Sequence, residues 1–163
     1  MKLTRDGYGQ VEPNFLSAPR TGQVRAQLAA KSDIEILENG MFVKCDMAND
    51  ECNFTGDGPW YMVFNEEKLY DEHYQMHKHY AMKKADFYDG KMVPRVLLPL
   101  LGDTYTTNMF ADSVTEVALG DKFTPGADGK LAAGEGDLTL KAVKLYTMPD
   151  GQPGVKLQVI AAE

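Results

Sequence analysis

The sequence predicts a mainly β protein: a small antiparallel β-barrel or β-sandwich with an extended N-terminal arm and room for one short helix. Three observations carry this. Apolar residues alternate with polar ones towards the C-terminus, in Leu138-Thr139-Leu140-Lys141 and in Val155-Lys156-Leu157-Gln158-Val159. Turn formers separate the apolar runs, at Pro125-Gly126-Ala127-Asp128-Gly129 and again at Met148-Pro149-Asp150-Gly151-Gln152-Pro153-Gly154. Asn39-Gly40 stands between two further apolar runs. The expected organisation is an arm over residues 1–31 and a barrel or sandwich domain over 32–163, with an excursion at 66–87.

Taken in order, the first thirty residues read as an arm. Gly7, Gly9, Pro13, Pro19 and Gly22 interrupt every candidate element, and Tyr8, Val11, Phe15 and Leu16 share no periodic face. Such a stretch either lies on another surface or stays a flexible tail. Val24, Leu28 and the neighbouring alanines allow one helical turn. Ile34, Ile36 and Leu37, then Glu38-Asn39-Gly40, then Met41 to Cys45 read as strand, turn and strand. Residues 46–58 form a polar loop whose Asp46, Asp50, Glu51 and Asp57 lack the alternating ligand order of a calcium loop. Pro59-Trp60-Tyr61-Met62-Val63-Phe64 reads as a buried strand.

In the next segment Leu69, His73, Met76 and Tyr80 recur at helical spacing, with Tyr70, Tyr74 and His77 as a neighbouring stripe and Asn65 as a cap. A helix and an aromatic-rich excursion beside the barrel are both consistent with it. Pro94 and Pro99 each remove a ladder donor, so 91–101 should be an edge strand or short pieces. Beyond Thr115 the pattern is a meander. Its apolar phase runs 138, 140, 142 and then slips to 143, 145. A β-bulge near Ala142 would restore the register, while a flat hairpin would leave Ala142 facing solvent.

Composition sets limits on function. The net charge of −7 disfavours non-specific binding to nucleic acid, which needs lysines and arginines against phosphates. The charge is uneven: residues 1–33 hold five basic and three acidic side chains, a balance of +2 that leaves −9 on the remainder. A basic arm on an acidic body suits docking on an acidic protein surface. No apolar run reaches the length of a membrane span, and Met1 to Gly7 does not read as a secretory signal, so synthesis in a cytosol-like compartment is expected.

His73 and His77 stand four apart, a metal-ligand spacing, but Glu72 precedes His73 where a zincin would hold its base between the histidines. Cys45 and Cys52 fit no zinc spacing and read as small thiols, or as a disulfide in an oxidising setting. Trp60 beside Tyr61 is either core or an aromatic platform for a sugar. Ser17, Ser32 and Ser113 occupy no nucleophile elbow, and neither Gly56-Asp57-Gly58 nor Gly134-Glu135-Gly136 is a phosphate loop. The expectation is a protein that is not an enzyme and uses no cofactor and no metal.

The run Leu119-Gly120-Asp121-Lys122-Phe123-Thr124-Pro125-Gly126-Ala127-Asp128-Gly129-Lys130-Leu131, with a Pro-Asp-Gly hairpin and a closing Val-Lys-Leu-Gln-Val-Ile strand, resembles the head decoration (capsid cement) proteins of tailed bacteriophages. Val63 to Asp71, Val93-Pro94-Arg95-Val96 and Gly102 to Asn108 look like the same class of virion protein from phages of Gram-positive or gut bacteria. The resemblance covers most of residues 32–163.

It implies a virion structural protein, made in the host bacterial cytoplasm, that sits on the capsid surface and stabilises the head by bridging subunits of the major capsid protein. A small homo-oligomer or a head fibre are further partners it allows, with no direct contact to nucleic acid or membrane. Arg5, Tyr8, Phe15, Leu16, Arg20 and Arg25 are the candidate capsid contacts of the arm. The alternative is a carbohydrate-binding or host-adhesion module on the virion surface, built on Trp60, Tyr61 and the tyrosine-rich segment.

Overall fold

A computed structural model describes residues 1–3, 9, 11–15, 23–65, 93–148 and 151–162, with 12–15 described by backbone alone. Among the described residues, twelve strands make two sheets. The second holds β2 (Val24–Arg25), β3 (Ala29–Ala30), β4 (Phe42–Asp46), β5 (Glu51–Asn53), β6 (Trp60–Val63) and β7 (Val96–Leu97), in the spatial order β2-β7-β6-β4-β5-β3. The first holds β1 (Val11–Phe15), β8 (Thr104–Thr107), β9 (Lys122–Pro125), β10 (Leu131–Ala133), β11 (Leu138–Thr147) and β12 (Pro153–Ala162), in the order β1-β8-β12-β11-β9-β10. Every pair is antiparallel except β3 with β5. The protein is a β-sandwich, and no helix occurs among the described residues.

The bulge at β11 forms. Ala142 pairs with Leu157 and Lys144 with Lys156, which leaves Val143 as the extra residue. Ala142 is buried and Val143 exposed, so one inserted residue turns the apolar phase back to the core. A second register shift, between Thr139 and Leu140, leaves Ile160 of β12 unpaired. The two prolines near β7 act as their chemistry requires: it is only two residues long, though it lies between β2 and β6 rather than at an edge.

The space between the sheets is filled from both. Phe42, Met62 and Leu97 of the second sheet meet Tyr105, Phe123, Leu140, Val155 and Leu157 of the first, all essentially without solvent contact. Phe110 stands edge-on to Phe123 at 5.0 Å between ring centroids. The second sheet is apolar on its other face as well. Val43, Tyr61, Val63 and Val96 form a second cluster there with Leu28, Ala30, Ile34, Leu37 and Met41. A strand buried on both faces reads as a continuous apolar run, which explains why Trp60-Tyr61-Met62-Val63 shows no alternation.

Among the opening residues, the described ones pair with the rest of the chain. Val11 pairs with Thr107 and Phe15 with Thr104, and β2 and β3 pair with β7 and β5. Met1 to Leu3 runs along Thr115–Val117 through three backbone bonds, two of them Leu3 N–H to Thr115 O at 3.0 Å and Val117 N–H to Met1 O at 3.1 Å. The described part of residues 1–31 is extended, as expected, but its partners are the protein's own strands. Backbone pairing along an otherwise open edge supplies what the irregular side chains lack.

Two further corrections concern local structure. Val24 and Leu28 form no helical turn, because residues 24–25 and 29–30 are strands. Ile34 to Leu37 is no strand either: Ile34 and Leu37 drop into the second core while Ile36 is 52% exposed. Gly40, at φ 88°, then turns the chain into β4, its N–H bonded to Val63 O.

Candidate functional site

Of the candidate contact residues, Arg25 is fully described. It lies half-buried on β2, its guanidinium 5.4 Å from the centroid of the Tyr61 ring and its Nη1 3.5 Å from the sulfur of Met47. Burial pushes the Tyr61 phenol up, against a smaller downward pull from Arg25. Arg25 therefore covers the second apolar cluster with a flat cation rather than reaching freely into solvent. Phe15 is described by backbone, opposite Thr104. Arg5, Tyr8, Leu16 and Arg20 lie outside the described residues, as do His73, His77, His79, the predicted helix and the excursion at 66–87.

Trp60 is half-buried on the opposite face of the same sheet, with the Lys44 ammonium 4.9 Å from its ring centroid. The register explains the pair, since Lys44 stands directly across from Trp60. In the β4–β5 loop the Asp46 carboxylate accepts from the N–H groups of Ala48 and Asn49, at 3.0 and 3.2 Å, and from Asn49 Nδ2 at 2.8 Å. The Asn49 side chain, then these amides, hold its carboxyl below the usual range. Its oxygens are occupied in shaping the turn. Among the described residues, no three His, Cys, Asp or Glu side chains converge as a metal site.

The surface carries apolar side chains at its turns. Leu101, Leu119 and Met47 are 71%, 64% and 60% exposed. Leu119 sits in the turn 118–121, which Gly120 N–H bonds to Ala142 O at 2.8 Å and Asp121 O receives from Ala142 N–H at 2.8 Å. That bonding places the turn against the β11 bulge, where Val143 also faces outward. The sequence allowed a bulge near Ala142 but gave no sign of the turn at 118–121 beside it, because their meeting depends on β9 pairing with β11. The chain matched no family model, no curated protein and no solved structure in comparisons with each.

Proposed function

We propose that this protein is a virion structural protein, a decoration or cement protein that binds the outside of a tailed-phage head and ties together neighbouring major capsid subunits. The observation that carries the reading is the exposed Leu119, in a turn whose backbone bonds to Ala142, with the exposed Val143 next along the bulge. Leu119 opens the run through Leu131 on which the resemblance rests. Exposed apolar side chains gathered at a turn and the bulge it bonds to suit a protein contact. A contact too weak to hold one copy suffices when it is repeated over a lattice, provided copies engage several subunits at once.

With β1, β2 and β3 paired inside the sandwich, capsid contact is assigned to the body surface as well as to the candidate residues near the N-terminus. Deleting the first thirty residues would remove three strands, so the clean test uses point changes. Purified protein incubated with expanded capsids lacking it should co-sediment saturably. The double variant Leu119→Glu, Val143→Lys should lose most of that binding with an unchanged unfolding midpoint. Absence of wild-type binding would remove the proposal.

One observation favours the glycan-binding alternative: Trp60 is half-buried and not enclosed in the core. Glycan-array signal that disappears with Trp60→Ala would support it; the Lys44 ammonium over the ring competes for the same face.

A further inference from the structure

Cys45 and Cys52 stand opposite each other on β4 and β5, with their sulfurs 3.9 Å apart. Cys52 O accepts from Lys31 N–H at 2.8 Å, on the β3 side of the strand. Since a strand residue directs its N–H and C=O to the same side, Cys52 turns its backbone away from β4. Cys45 and Cys52 are therefore a non-hydrogen-bonded antiparallel pair, the kind whose Cα atoms approach to about 4.5 Å, within the span a disulfide accepts. Both are free thiols.

We propose that Cys45 and Cys52 are a modification site, closing to a reversible cross-strand disulfide when the protein meets an oxidising thiol–disulfide couple of the glutathione class. The Cys45 sulfur, as thiolate, attacks one sulfur of the external disulfide and breaks its S–S bond, releasing one thiolate. Cys52 then gives up its proton, and its sulfur attacks Cys45 in the mixed disulfide, expelling the second thiolate. Two protein thiols are oxidised, one external disulfide is reduced to two thiols, and the two protons end on the released thiolates.

The environment assigns the order of attack. Cys45 is half-exposed, whereas Cys52 is 1% exposed and also points its sulfur at Leu28 O, 3.8 Å away. The contact with Cys52 lowers the Cys45 thiol, Arg25 adds a smaller pull in the same direction, and burial opposes both. The Cys52 thiol is raised by its contact with Cys45 and by burial. An accessible, more acidic thiol with a buried one behind it is the arrangement of an attacking and a resolving cysteine. The cross-link would pin the β4–β5 hairpin, onto which β3 pairs through Ala29–Glu51 and Ala30–Cys52. The inference is independent of the proposed function.

The test uses the full-length protein equilibrated with excess glutathione disulfide. Thiol titration should fall from two groups to none, and peptide mapping should find Cys45 joined to Cys52 within one chain. The unfolding midpoint should rise by roughly 4–10 °C over the reduced form, as expected for a loop this short in a chain of this size. Cys52→Ser should stop at a glutathione adduct on Cys45, and Cys45→Ser should react far more slowly. Two thiols persisting in the wild type would overturn the proposal, as would dimers linked between chains or a midpoint unchanged by oxidation.

Discussion

Replacing Tyr105 by Phe tests how the core treats a polar atom. Tyr105 lies between the sheets with no solvent exposure, opposite Leu157, its ring 6.4 Å from that of Phe42. Its hydroxyl has no hydrogen-bond partner among the described residues, and burial holds the phenol well above its usual range. A buried hydroxyl without a partner costs about 1–3 kcal/mol. The ring is unchanged by the substitution, so its packing stays. Tyr105→Phe should therefore stabilise the protein by roughly 1–2 kcal/mol, a rise of about 2–8 °C in unfolding midpoint for a domain of this size. Urea unfolding monitored by Trp60 fluorescence, with equal slopes for both proteins, measures it. Destabilisation by about 0.5 kcal/mol or more, within the range of one ordinary hydrogen bond, would show that the hydroxyl is satisfied and the reasoning wrong.

Other expectations follow from single positions. Gly129 has φ 75°, and a Cβ there would meet Phe42 O at 2.5 Å and Phe54 Cε1 at 2.6 Å. Gly129→Ala should lose roughly 2–5 kcal/mol from backbone strain and overpacking together. Gly120→Ala, at φ 93° with nothing within 4 Å of the new atom, should lose only about 1–2 kcal/mol; equal losses by denaturant titration would contradict the difference. Leu157→Ala, at a site fully enclosed between the sheets, should cost about 2–5 kcal/mol in the same assay. The Asp46 carboxyl, depressed when folded, contributes stability that is present above the unfolded value of about 3.9 and is lost as pH falls through the lower folded value. An NMR titration should place its midpoint below that of an unstructured aspartate, and Asn49→Ala should move it upward.

How far the sequence reached depends on the range of each interaction. The phase slip at Ala142 and Val143 allowed a bulge or a flat hairpin, because period-two alternation is read by the chain itself, and the structure decides for the bulge with an unpaired residue where the slip falls. The prolines around Val96 and Leu97 similarly confine β7 to a short strand. Ile34 to Leu37 misled because two apolar side chains entering a core need no continuous ladder, and Leu37 keeps only a single bridge. The irregular stretch before residue 31 was read from side chains, whereas β1 is held through backbone bonds to β8, which no periodicity records. The same applies to the surface. Arg25 could be picked out as a cation, but not as the cover of Tyr61, and the two cysteines could be read as free thiols or as a disulfide, but not as partners directly across two strands.

Residue order by itself determined the mainly β class, the turn signals at Asn39-Gly40, Pro125–Gly129 and 148–154 and the phase slip in β11, since these follow from alternation and from the backbone preferences of Gly, Pro, Asn and Asp. Only the tertiary structure decided that the two sheets form a sandwich, that the β2–β7 sheet carries an apolar cluster on each face, and that the N-terminal strands join the two sheets. Leu119 beside the bulge, and Cys45 opposite Cys52, were decided there too. Local patterns report which way a side chain must face, whereas strand partners are chosen by burial and hydrogen bonding between segments distant in sequence, and that choice is made by the whole fold at once.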